Sequence, residues 1–250
     1  MKKLRLTLLL FLVSVPLLSF ALVTNPQATD LEEGSDQFWS KTDGAEVTII
    51  NDFTISMWVK WESLGDQDGL YDKWLDFNKE HLIFYSGSSL EMYTSTGGSC
   101  NGQNGFAYTW TPDLGVWYHI VMTKQGTSGL GYVNGVQVSS GTLSLVNCDS
   151  TTALRIGDRN AVGSLAHDGS IDDVRVWTRA LQADEVQFLY KHPCAQVNED
   201  FLLNWWKFDG NGIDAAGGNA NLTNNNVATF VNDPAFTCLP LSPLHPFGIF

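Results

Sequence analysis

The chain has 250 residues, with 14 Lys and Arg against 27 Asp and Glu and a formal net charge of −13. That balance repels nucleic acid and anionic membrane surfaces and argues against both as partners. Nine Trp and 23 Gly give ample apolar bulk and many turns, and the length suits one large all-β domain or two small ones.

The chain opens as an export signal. Lys2, Lys3 and Arg5 precede an apolar run over 6–20, and Ser19 and Ala21 place small residues before a cut after position 21. The run is shorter than the ~20 residues that span a bilayer, which favours a cleaved signal over an anchor. Losing 1–21 removes three basic residues and no acid, so the mature chain is more acidic still. A linker over 22–29 is expected next, and the protein is expected to be secreted or at the cell surface.

In Phe53–Trp61, Phe53, Ile55, Met57, Val59 and Trp61 fall on one face and Thr54, Ser56, Trp58 and Lys60 on the other. Period two over this length predicts a half-buried strand, with Trp58 a large aromatic on the polar side. Residues 66–69, Asp-Gln-Asp-Gly, read as a solvated hairpin loop lacking the ligand spacing of an EF-hand. Residues 97–108, rich in Gly and Asn, read as a loop. The segment 117–123 alternates again. Gly131 to Val138 reads as a hairpin, because Asn134-Gly135 supplies the positive φ angles of a type I′ turn. Short strands are expected at 154–157 and 171–177, the latter with Asp172, Val174 and Val176 on one face. Acids precede apolar residues over 181–190, which predicts a two-turn helix ended before Pro193. A late strand at 202–208, a loop at 210–226 and a tail at 239–250 complete the pass. Turn signals every ten residues or so and scarce helix predict an all-β sandwich or jelly roll.

Four Cys follow the export signal, which implies two disulfides with three possible pairings. Pairing sequence neighbours favours Cys100–Cys148 and Cys194–Cys238. The Cys lack C-x-x-C spacing, so a zinc site is not expected.

Several motifs together resemble the laminin G-like jelly-roll family of the concanavalin A-like superfamily. Residues 53–60 resemble its F-T-I-S-x-W-V-K strand and 117–121 its W-Y-H-V-V. Residues 132–135 resemble its Y-V-N-G hairpin, and 169–181 its G-x-I-D-D-V-R-V-W-x-R-A-L close. The four come in family order. The resemblance implies a two-sheet antiparallel jelly-roll sandwich with one short helix over 30–238, and binding of glycans or extracellular proteins, often with calcium. Residues 199–232 resemble a run that opens a domain in many members. Here they are expected to supply a strand to the same domain, within an extension over 193–238 stapled by Cys194 and Cys238.

The acids grouped for a structural Ca²⁺ are Asp36, Asp168 and Asp172, with Asp158 a weaker candidate, because calcium takes six to eight oxygens. Aromatic faces and amides suit sugar rings and their hydroxyls. On that ground Trp58, Asn101, Asn104, Phe106, Tyr108 and Trp110 are the expected ligand contacts, with Gln103 in the same stretch. The five His lack metal or triad spacing, and His119 reads as structural. No G-x-S-x-G, H-E-x-x-H or E-x-D-x-E pattern occurs, so no enzyme is expected. The expected function is a secreted, monomeric carbohydrate-binding or adhesion module, calcium-assisted. The alternative is a protein–protein or structural surface module without glycan affinity.

Overall fold

The computed structural model describes residues 26–97, 99–160, 165–195 and 199–238. The expected export signal over 1–21 and the expected tail over 239–250 lie outside them. The strands are β1 Ala28–Leu31, β2 Phe38–Lys41, β3 Phe53–Trp61, β4 Asp68–Leu75, β5 Asn78–Tyr85, β6 Ser89–Thr96, β7 Ser99–Thr109 and β8 Trp117–Gln125. They continue with β9 Ser128–Val133, β10 Val136–Thr142, β11 Leu154–Ile156 and β12 Gly169–Trp177. After helix α1, Ala183–Lys191, come β13 Leu202–Trp206, β14 Thr223–Asn225 and β15 Thr229–Val231.

They form two antiparallel sheets. One runs β10-β9-β8-β3-β12-β1-β15, with β13 also on β12; the other runs β14-β2-β11-β4-β5-β6-β7. The period-two face of β3 fills the space between them: Ile55, Met57, Val59 and Trp61 meet Tyr71, Ile83, Tyr85 and Met92 of the facing sheet. Trp61 packs edge-on against Tyr85 at 5.8 Å and Trp110 at 5.9 Å, a favoured aromatic geometry. Residues 199–232 add strands to both sheets, and their Trp206, Phe208 and Leu222 belong to the same core. Both favoured disulfides are present, with Cα–Cα distances of 5.2 Å for Cys100–Cys148 and 5.6 Å for Cys194–Cys238. Among the described residues no helix is long and apolar enough to cross a membrane.

Two expectations need correction. Residues 97–108 are not a loop: most of them form β7, hydrogen-bonded along β6 from Ser89↔Thr109 to Thr96↔Ser99. Asp172 does not share a face with Val174 and Val176. A bulge on β12 breaks the register between Asp172↔Trp58 and Arg175↔Ser56, with Asp173 in the left-handed region at φ 49. The extra residue turns Asp172 outward while Ile171, Val174 and Val176 stay in the core.

Helix α1 closes the outer face of the β3–β8–β12 sheet. Its Val186 and Leu189 join Val121, Tyr132, Trp177 and Leu181 in a second apolar cluster. Gln182 and Glu185 form a capping box at its start, and Glu185 also takes a bidentate ion pair from Arg179 at 2.5 and 2.8 Å.

Candidate functional site

The outer face of β4–β7 carries no such cover, since the one α-helix among the described residues lies on the other sheet. A groove of about 400 Å³ opens there, within the range of small-ligand sites. Strand alternation builds it. On β5, Ile83 and Tyr85 point into the core, which leaves Leu82 and Phe84 outward; on β6, Leu90 and Met92 point in and Tyr93 out. On β4, Lys73 turns inward, fully buried, and pairs with Glu80 and with Asp43 at 2.8 Å. The adjacent Trp74 turns outward into the groove wall.

The three rings follow one another: Trp74 to Tyr93 at 6.1 Å, then Tyr93 to Phe84 at 6.2 Å. Gly105 on β7 lies opposite Tyr93 and makes the seat for its ring, because a Cβ there would stand 2.3 Å from the Tyr93 ring. The Tyr93 hydroxyl donates to Glu91 at 3.2 Å. Polar groups border the rings: Asp66, Gln67 and Ser86 at one end, Asp76 and Gln103 at the other.

Two cations are already engaged. The Arg159 guanidinium lies 4.5 Å over the Phe84 ring and donates to Gln67. Lys79 sits 5.3 Å over Trp74 and donates to Gln103 at 3.0 Å and to the Asn101 carbonyl at 3.2 Å. Beneath the face, Asp72 is fully buried. Its Oδ1 accepts from the Trp74 amide at 2.8 Å and from Asn160 at 2.7 Å, and its Oδ2 lies 3.9 Å from Arg159. Burial pushes the Asp72 carboxyl up to about 7, against the pull of these donors.

The expected contacts fare unevenly. Trp58 is not a platform: it is 7 % exposed, stacked on Tyr190 of α1 at 5.8 Å and capped by Phe236 at 5.8 Å. Phe106 and Asn104 face inward from β7, Phe106 into the core and Asn104 donating to Ser144 at 3.1 Å. Tyr108 and Trp110 pack against the core, 6.1 Å apart. Asn101 lies at the Lys79 end of the groove, and Gln103 lines it. The groove aromatics Trp74, Phe84 and Tyr93 were not singled out from the sequence. The signal was there in the alternation of 82–85 and 90–93, but neither segment carries a motif.

The acids proposed for calcium do not come together. Asp36 ends a 3-10 turn, Asp168 accepts from Ser63 at 2.5 Å, and Asp172 accepts from the Ala235 amide at 2.9 Å on the outer face. Asp158 pairs with Arg155 at 2.5 Å. Among the described residues no three His, Cys, Asp or Glu are grouped to hold an ion. Asp68, placed in the 66–69 loop, begins β4. Its Oδ2 takes the Trp61 indole N–H at 3.1 Å, and burial pushes its carboxyl up to about 7. His119 pairs with Ser56 at 2.8 Å beneath Trp58, its pKa held down to about 3 by burial, so this Ser–His pair is structural and closed to substrate.

A sandwich of two antiparallel sheets with this strand order is a concanavalin A-like jelly roll. The chain belongs to the concanavalin A-like lectin/glucanases superfamily, whose laminin G family model matches residues 33–187. Among solved structures it is similar to a protein from Bacteroides ovatus ATCC 8483 described as carbohydrate-binding, at 17 % identity and a TM-score of 0.63, over 84 % of this chain and 60 % of that one. It is also similar to the botulinum neurotoxin serotype G binding domain, at 16 % identity and a TM-score of 0.50, over 62 % of this chain and 40 % of that one. The chain thus spans less than two thirds of the length of either. No curated protein matches it.

Proposed function

We propose that the protein is a non-catalytic carbohydrate-binding module whose site is the groove on β4–β7. The observation that carries this reading is the row of Trp74, Tyr93 and Phe84, bordered by the carboxylates and amides of Asp66, Asp76, Gln67 and Gln103. Ring faces take the C–H faces of sugars, and the bordering oxygens and amides take hydroxyls. The carbohydrate-binding description of the Bacteroides ovatus structure supports the same class. An uncharged glycan fits best. Arg159 and Lys79 are both committed to aromatic faces and amides, while Asp66 and Asp76 face a ligand in a chain of net charge −13. Two disulfides support an exported protein, since such bonds persist in oxidising compartments.

The test is affinity electrophoresis against neutral polysaccharides (β-glucan, mannan, xylan) and acidic ones (polygalacturonate, alginate, heparin). Retardation by a neutral polymer, lost in Tyr93→Ala, is expected. No retardation by any polymer from folded protein would move the module to protein recognition. Retardation by acidic polymers alone would discard the neutral ligand.

A further inference from the structure

The groove ends at the β4–β5 turn, and that turn holds an anomaly. Phe77 follows the groove residue Asp76, is 78 % exposed, and sits in the left-handed region at φ 68. Leu75, on the other side of Asp76, is 43 % exposed. A bulky aromatic at positive φ is strained, and Asn or Gly would hold the same turn without that strain. The chain uses such residues at Asn134, Gly135, Asn219 and Asn226. In the free protein Phe77 therefore adds strain and leaves a ring in water, while burying almost nothing. Strain of this kind collects at ligand-binding positions.

We infer that Phe77 is a ligand-contacting residue that continues the line of rings beyond Trp74 and gives the groove an additional subsite for an uncharged sugar. This rests on the glycan reading of the groove. The row runs from Phe84 through Tyr93 to Trp74 in steps of 6.2 and 6.1 Å, and the β4–β5 turn lies beyond Trp74. The module accordingly reads an extended stretch of a polysaccharide rather than a single terminal sugar. Val227 serves as an internal control. It is also left-handed, at φ 61, and 78 % exposed, but it follows β14, at the opposite edge of the sheet from β7.

The experiment is calorimetry of the wild type, Phe77→Asn and Val227→Asn against cello-, laminari-, manno- and xylo-oligosaccharides from disaccharide to hexasaccharide, with thermal melts of all three proteins. The wild type should bind the longest member of one series more tightly than the shortest. Phe77→Asn should bind that long member about fivefold more weakly, the scale of one lost ring contact, keep its affinity for the shorter members, and melt no lower than the wild type. Val227→Asn should leave every affinity unchanged. Unchanged affinity of Phe77→Asn for a hexasaccharide that the wild type binds overturns the subsite alone. A lower melting temperature for Phe77→Asn makes Phe77 a packing residue and likewise overturns it. A wild type that binds no series overturns the groove reading and the subsite together.

Discussion

The two sheets meet on the same core but treat their outer faces differently. On β3, β8 and β12 the outward Trp58 and Trp177 lie beneath α1 and the segment stapled by Cys194–Cys238, which brings Phe236 over the Trp58 ring. On β4–β7 the outward rings of Trp74 and Phe84 carry the side chains of Lys79 and Arg159 over their faces. Trp74 is as little exposed as Trp58, 6 % against 7 %, yet what lies over its ring is the Lys79 ammonium at 5.3 Å. The difference teaches that exposure by itself does not separate a packing aromatic from a binding one. What separates them is whether the cover belongs to a folded element or to a side chain that can swing away.

Four variants test that contrast. The largest effect is expected from Trp58→Ala, a loss of about 3–5 kcal/mol as for other buried aromatics, read from urea unfolding, with polysaccharide retardation retained by the folded fraction. A stable Trp58→Ala that no longer binds would break the contrast. Replacing both Cys194 and Cys238 with Ala should cost about 2–4 kcal/mol and release Phe236, seen as a lower melting temperature without loss of the groove. Tyr93→Ala should do the reverse: a stability change under about 1 kcal/mol at its half-buried position, but roughly tenfold weaker polysaccharide binding, near 1.4 kcal/mol. Gly105→Ala belongs beside it, since the added methyl displaces the same ring.

The effect expected from Asp72→Asn depends on pH. The folded-state pKa of Asp72 is about 7 against 3.8 for an ordinary Asp. Its contribution is therefore fully present below 3.8 and is lost as the pH rises through 7. Asn keeps the acceptor for the Trp74 amide without the buried charge. The melting temperature of the variant should gain on the wild type steadily between pH 4 and pH 8. A constant difference across that range would show that Asp72 does not titrate there.

Much of the covered sheet was legible in the sequence. The alternation of β3 and β8, the Asn134-Gly135 turn and the capped helix are local patterns, and each appears where its residues put it. The bulge at Asp173 was not legible, because one residue at positive φ leaves the composition unchanged while reversing every side chain after it. The open sheet was harder. In β7 the residues Ser99 to Gly105 are small or polar on both faces, so pairing with β6, rather than any periodicity of its own, makes the strand. That pairing decides that Gln103 faces the groove while Phe106 faces the core. The cover on Trp58 was invisible for a different reason: Phe236 arrives from the far end of the chain, held by a bond that sequence spacing favoured but did not place over any strand.

The Cys194–Cys238 bridge also fixes how the molecule would carry tension. Strands β13, β14 and β15 all lie between its two cysteines, within a sequence separation of 44. A pull entering beyond position 238 crosses directly to Cys194 and on toward α1, so the three late strands form a slack covalent bypass that bears no load. A tethered copy under shear would pass force from Cys238 to Cys194 and α1 without drawing on the chain of β13, β14 and β15.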